Sequence, residues 1–142
     1  MVDVTRSRCA EAAPRTAPAW LRAFRSIDHF VMESLKDTAG FEGSLAVALA
    51  VEFRKTLVRS GAALIAASAA RTADETTAAL ADVRERLAEA SYHLNLARRF
   101  GWVSLKRYRV LISRQQGAVR EVEGLIAAGA GRGAPVRSRA PG

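Results

Sequence analysis

The sequence predicts an all-α protein, namely an antiparallel up-and-down four-helix bundle with disordered termini. Hydrophobic residues make up 49% of the 142-residue chain and aromatic residues only 6%, so Ala and Leu, both strong helix formers, must build the core. Apolar residues recur at steps of three and four in four segments, as on one face of an α-helix. Only a few residues join these segments, which favours consecutive helices that lie side by side and antiparallel.

The first two helices are predicted over residues 19–37 and 44–70. Gly40 follows the end of the first helix, as is usual at a helix stop. The apolar stripe of the first helix contains Trp20, Phe24, Ile27, Val31 and Leu35. The stripe of the second helix contains Leu45, Leu49, Phe53, Leu57 and Leu64. Gly61 and several alanines of the second helix favour close approach of a neighbouring helix.

The third and fourth helices carry the clearest signals. Thr72 and Glu75 have the spacing of a capping box, and Ser104 is a suitable N-cap for the fourth helix. The seam of the third helix contains Leu80, Val83, Leu87, Ala90, Leu94 and Ala97, and Gly101 follows it. The predicted seam of the fourth helix contains Leu105, Tyr108, Ile112, Gln115, Val119, Val122 and Ile126. A polar Gln115 within a seam can set helix register or oligomeric state, or can lie at the rim.

The sequence divides into a flexible basic N-terminal arm over residues 1–18, the bundle over 19–128 and a disordered basic tail over 129–142. The arm has two prolines and no apolar period, and the tail is rich in Gly, Pro and Arg. The two ends together carry six Arg and two acids, which is half of the formal net charge of +8.

Residues that could support catalysis are few, so we expect no enzyme, no cofactor and no metal site. Cys9 is the single cysteine, and His29 and His93 lie on different predicted helices without a cluster of further ligands. No secretory signal is recognisable, and the uncharged stretch over 60–70 is too short for a membrane helix. These features favour a cytoplasmic protein without membrane association.

The run from Leu87 to Ser104, followed by Tyr108, Leu111 and 119–126, resembles a bacterial family of four-helix-bundle proteins. This family includes the 23S rRNA intervening-sequence proteins and the accessory variability determinant (Avd) proteins of diversity-generating retroelements. Residues that resemble the family pattern are Glu89, Leu94, Ala97, Gly101, Trp102, Ser104 and Tyr108. Ser91 departs from the pattern, because a second acid is common at that position.

The resemblance implies a non-catalytic accessory protein that assembles as a homopentamer. In the Avd branch, such a protein binds nucleic acid (template RNA or cDNA) and a reverse transcriptase in mutagenic retrohoming. The alternative implied by the intervening-sequence branch is a structural or protein-interaction bundle with no nucleic-acid role.

The charge pattern independently indicates a polyanionic partner. Between residues 90 and 120 the sequence has seven basic residues and no acid. These predicted nucleic-acid-binding residues are Arg98, Arg99, Lys106, Arg107, Arg109, Arg114 and Arg120. Heptad spacing places Lys106 with Arg120, and Arg107 with Arg114, on the outside of the fourth helix. This basic stripe on the outside of the fourth helix can contact phosphates, pair with acids of a protein or neighbouring subunit, or remain solvated. If about four of these residues contact phosphates, the logarithm of the binding constant falls with the logarithm of the salt concentration with a slope near −3 to −3.5.

The aromatic residue in the turn before the fourth helix has two interpretations. Trp102 can pack over the turn or stack on a base.

Overall fold

The computed structural model describes residues 17–139, with side chains described from 17 to 129. Four α-helices account for nearly all of this part of the chain: α1 (Pro18–Thr38), α2 (Ser44–Ser68), α3 (Ala73–Arg99) and α4 (Leu105–Arg139). The turns between them span only a few residues, and the described backbone contains no strand. The predicted all-α class is therefore confirmed.

The helices form a closed ring in which each helix packs mainly on two neighbours. α1 packs against α2 and α4, and α3 packs against α2 and α4. Short connections between consecutive helices make the neighbours antiparallel, so the bundle is up-and-down. The turn between α1 and α2 and the turn between α3 and α4 lie at the same end of the bundle, where Phe41 and Val103 share a small apolar cluster.

The seam of α3 is confirmed at every predicted position. Leu80, Val83, Leu87, Ala90, Leu94 and Ala97 are all buried. They pack against buried side chains of the other helices, and the largest of these include Trp20, Phe30 and Phe53. A regular alternation of three and four residues along a 27-residue helix keeps these side chains on the core side throughout.

The predicted stripes of α2 and α4 are confirmed in part: Phe53, Leu57 and Leu64 of α2, and Gln115 and Val122 of α4, are buried as predicted. Leu45 and Leu105 were assigned to the core, but they are 58% and 49% exposed. In α2, the small residues Ala46 and Ala50 take the buried positions and allow close helix packing. In α4, the buried residues are Leu111, Gln115, Ala118, Val122 and Leu125. The predicted Ile112, Val119 and Ile126 are half-buried at the edge of the same face.

The ends of the helices follow the local signals. The Oγ1 atom of Thr72 accepts a hydrogen bond from the Glu75 backbone N–H at 3.1 Å. Likewise, the Oγ atom of Ser104 accepts from the Arg107 backbone N–H at 3.1 Å. Both predicted N-caps are therefore confirmed.

The predicted arm over residues 1–18 lies almost entirely outside the described residues, and so does Cys9. The predicted tail over 129–142 overlaps the last part of α4, whose backbone is helical to Arg139. Leu125 is the last residue of α4 whose side chain is described as buried. The division into arm, bundle and tail stays a prediction.

Candidate nucleic-acid interface

The basic residues of α4 lie on two different sides of the helix. Taking the buried residues Leu111, Gln115 and Ala118 as the core-facing side, Arg107 and Arg114 lie at the edge next to α1. Contacts with α1 confirm this placement. At the opposite edge, next to α3, Gln116 and Arg120 line a groove, and Arg109, seven residues before Gln116, is exposed.

Arg107 is tied to α1 by a bidentate ion pair. Its Nε atom donates to Asp37 Oδ2 at 3.0 Å, and its NH2 group donates to Asp37 Oδ1 at 3.2 Å. Glu33 Oε1 lies 4.0 Å from the same guanidinium. The hydrogen bond to Asp37 is the main reason that the pKa of Arg107 is raised above its ordinary value. Such a fork-to-fork pair fixes the geometry of the guanidinium as well as its charge.

Arg114 lies about two helical turns after Arg107 and makes a similar contact with α1. Its NH2 group lies 3.8 Å from Glu33 Oε1, and its NH1 group lies 3.2 Å from His29 Nδ1. Arg22 and Glu121 form a further pair, at 3.6 Å, between the same two helices. The α1–α4 side of the bundle is therefore covered by cross-helix charge pairs.

The α3–α4 side is open and basic. A groove of about 360 Å³ between these helices is lined by Arg84, Ala88, Ser91, Gln115, Gln116, Val119 and Arg120. Its floor is fixed by Gln115, which is buried and donates from Nε2 to the Leu87 carbonyl at 2.9 Å. Arg84 and Arg120 are exposed, and no carboxylate among the described side chains lies within 4 Å of either guanidinium.

Further cations surround the turn between α3 and α4. Arg99, Lys106 and Arg109 are exposed, and within the described part of the chain none of them has an ion-pair partner. Arg98 is half-buried, with its guanidinium carbon 5.1 Å from the centre of the Tyr108 ring. A cation over an aromatic face is held electrostatically and keeps its charge.

The seven predicted contact residues thus fall into two groups. Arg107 and Arg114 are paired with α1. The other five lie around the α3–α4 side and the adjacent turn, and no carboxylate of the described side chains pairs with them: Arg98, Arg99, Lys106, Arg109 and Arg120. Together with Arg84 we call these residues the unpaired basic set. They can bind phosphate groups without first breaking an internal ion pair, which makes this side the better polyanion surface.

Arg84 was missed because acids surround it in the sequence. Asp82 and Glu89 both lie close to Arg86, at 3.4 and 3.5 Å, and no carboxylate of residues 17–129 pairs with Arg84. The available signal was the seven-residue spacing of Arg84, Ser91 and Arg98. This spacing puts all three on the same side of α3, and that side faces α4.

The two histidines have different surroundings. His29 is exposed beside Arg114. His93 is half-buried, its ring centre is 5.9 Å from that of Phe53, and its Nδ1 atom is buried without a hydrogen-bond partner among the described residues. Burial lowers the pKa of His93 below its ordinary value, although Glu89 and Glu52 act in the opposite direction.

A search of the described residues for three or more His, Cys, Asp or Glu side chains close enough to hold a metal ion found no such group. No helix in the described range 17–139 is both long enough and apolar enough to cross a membrane. Comparison with protein-family models, with curated proteins and with solved structures found no match.

Proposed function

We propose that this protein is a non-catalytic, cytoplasmic accessory protein that binds nucleic acid, as an Avd-like component of a diversity-generating retroelement. In this role it holds template RNA or cDNA together with a reverse transcriptase during mutagenic retrohoming. The resemblance of residues 87–126 supports the assignment to this class. The unpaired basic set on the α3–α4 side supports the choice of nucleic acid as partner.

The observation that carries the proposal is the contrast in charge pairing between the two edges of α4. Arg107 and Arg114 already have carboxylate partners on α1. Binding a phosphate there requires an existing ion pair to be broken. Arg84, Arg109 and Arg120 have no such partner in the described part of the chain, so phosphate contact releases counterions and gains free energy directly.

The test is the salt dependence of binding to a single-stranded RNA. We expect the triple variant Arg84→Gln, Arg109→Gln and Arg120→Gln to make the slope of log K against log salt less negative by about 2, since each phosphate contact contributes about 0.7 for a single strand. The matched control is Arg107→Gln with Arg114→Gln, which removes two cations from the same helix.

The control variant should keep most of the slope although it loses its ion pairs to α1. Unchanged binding by the triple variant would reject the α3–α4 side as the contact. If the wild-type protein does not bind the RNA even at low salt, nucleic acid is rejected as the partner. Partner capture that is insensitive to salt would then favour a protein-interaction bundle.

We also propose that the protein is a homo-oligomer, a pentamer by its resemblance, in which a second copy covers the outer side of α2. Val51, Val58 and Ile65 are 41%, 59% and 60% exposed and repeat every seven residues. With Val47 they form a second apolar seam, directed away from the core. Gly61 lies on this seam, and a Cβ atom there would have no neighbour within 4 Å.

Features of this seam favour a copy of the same chain as the occupant. The charged residue on it is Arg54, whose guanidinium is already bonded to Thr38 by Nε–Oγ1 and NH2–O contacts of 2.8 and 3.3 Å. A groove of about 320 Å³ continues the apolar surface to Phe24 and Val31 of α1. Small and β-branched residues spaced by three and four suit packing against a like helix.

Native mass measurement tests the assembly and its number of subunits. Val58→Glu should dissociate the particle, because it places a charge at the middle of the seam. Leu45→Glu is the matched control, since Leu45 is equally exposed, at 58%, but lies outside the seam. A wild-type monomer would reject the oligomer, and dissociation by both variants would reject this seam as the specific interface.

A further inference from the structure

We propose that the exposed ring of Phe100, stacked on Trp102, is a platform on which an unpaired base of single-stranded nucleic acid stacks. This inference rests on the proposed function and names the form of nucleic acid that the protein prefers. It also assigns a role to aromatic residues that the charge pattern does not explain.

The two rings are arranged as a stack with one open face. The centres of Phe100 and Trp102 are 4.8 Å apart and their planes differ by only 10°. On its other side Trp102 meets Phe41 at 6.0 Å and 42°, so it is anchored to the apolar cluster at this end of the bundle. Phe100 is 57% exposed, and a base placed on its open face would extend the stack by one ring.

The backbone of the turn fixes this arrangement. Gly101 has φ 81°, the left-handed conformation that glycine adopts without strain. The Trp102 N–H bonds to the Ala97 carbonyl at 2.9 Å and the Gly101 N–H bonds to the Arg98 carbonyl at 3.0 Å. These two bonds form a Schellman motif, which ends α3 and rigidly reverses the chain. The stacked rings are therefore held in place before any ligand binds.

The charges around the platform suit a nucleic acid strand. Arg99 precedes Phe100, and Lys106 and Arg109 lie in the first turns of α4, all exposed and, among the described side chains, without ion-pair partners. The acid that the α1–α2 turn brings to this end is Glu42, next to Phe41. Aromatic stacking beside a basic surface is the general way in which proteins hold single strands without reading their sequence.

The experiment compares two probes of equal length: a single-stranded uridine oligonucleotide and an abasic oligonucleotide that offers phosphates without bases. Phe100→Ala should weaken binding of the uridine strand by about 5- to 140-fold, as loss of one base–aromatic stack predicts. It should leave binding of the abasic strand unchanged. Phe100→Tyr keeps a ring and should retain the wild-type affinity.

A second variant separates the platform from other exposed aromatic residues. Tyr92→Ala is the matched control, because Tyr92 is a 60% exposed aromatic residue on the same helix. It lies about two turns from the platform and should have no effect on either probe.

Equal uridine-strand affinities for the wild type and Phe100→Ala, at unchanged helix content, would overturn the platform while leaving the basic contact intact. Failure of both probes to bind the wild type at low salt would overturn the proposed function and the platform together, so the two failures are distinguishable.

Discussion

The two edges of α4 carry the same type of residue but have opposite electrostatic surroundings. At the edge next to α1, Arg107 and Arg114 meet Asp37 and Glu33. At the edge next to α3, Arg120 has no carboxylate partner among the described side chains and shares a groove with another arginine, Arg84. An arginine on a helix surface is therefore either a structural residue or a free binding group, depending on what the neighbouring helix presents.

The two edges are also held together by different interactions. The α1–α4 edge uses partly exposed ion pairs, which solvent and salt weaken. The α3–α4 edge has, besides the apolar packing that both edges share, a buried hydrogen bond from Gln115 to the Leu87 carbonyl at 2.9 Å. This division leaves the cations of the α3–α4 edge unneeded for stability, and so available for a ligand.

Gln115→Ala should give the largest loss of stability among changes at these edges. It removes a buried side chain and its hydrogen bond, with an expected cost of about 1–3 kcal/mol in the free energy of unfolding. Chemical denaturation measures this cost. Gln116→Ala is the control, because Gln116 is exposed and should change stability by less than about 0.5 kcal/mol. Equal costs for both variants would show that the α3–α4 edge does not depend on the buried amide.

The Asp37–Arg107 pair should give the next largest effect. A double-mutant cycle with Asp37→Ala and Arg107→Ala should yield a coupling energy of about 0.5–1 kcal/mol, at the upper end for partly exposed pairs because the contact is bidentate. The coupling should decline as salt is added. A coupling energy near zero at low salt would remove the distinction between the two edges of α4.

The fold was predictable from the sequence where the signal is local. The capping residues Thr72 and Ser104 act on backbone N–H groups three residues away, so their role is visible in the sequence itself. The α3 seam was predicted completely because Leu80, Leu87 and Leu94 are large apolar residues at a strict seven-residue spacing. In these places only one phase of the helix fits the pattern.

The register of α4 was not predictable, because here more than one phase of the helix fits the pattern. Two overlapping series, one through Ile112 and Val119 and one through Leu111 and Ala118, both alternate three and four residues. A helix packed against two neighbours buries a wide stripe, and only the positions of α1 and α3 decide which series lies at its centre.

The candidate site was predicted in part. Spacing along α4 identified the cations but could not identify their partners, because Asp37 is 70 residues away from Arg107 in the chain. Pairing between helices depends on their relative axial position, which the pattern within one helix does not report. Arg84 was missed for the same reason, since the acids near it in sequence lie beside Arg86 in space.

His93, which lies beside Phe53 of α2, should make the stability of the bundle depend on pH. Because burial lowers the pKa of His93 in the folded state, the unfolded chain binds more protons below about pH 6.5, the ordinary value for histidine. The contribution of His93 to stability is therefore fully present above that pH and is lost as the pH falls through the folded-state pKa.

His93→Gln should therefore reduce the loss of stability between about pH 6.5 and the folded-state pKa, measured by urea denaturation at a series of pH values. His29→Gln is the control, since His29 is exposed at the α1–α4 edge. If the wild type and His93→Gln lose stability in parallel over this range, burial of His93 does not contribute to the acid sensitivity of the bundle.

The smallest effect on stability should come from the residues proposed to matter most for binding. The double variant Arg84→Gln with Arg120→Gln should change the free energy of unfolding by no more than a few tenths of a kcal/mol, as for most surface substitutions. The sign should be a slight gain at low salt, because two like charges at one groove repel, and the gain should vanish at high salt. Arg107→Gln should lose stability under the same low-salt conditions, because Asp37 is left without its partner. A clear loss from the double variant would mean that these arginines serve the fold, and the α3–α4 edge would then resemble the α1–α4 edge in being closed by its own charges.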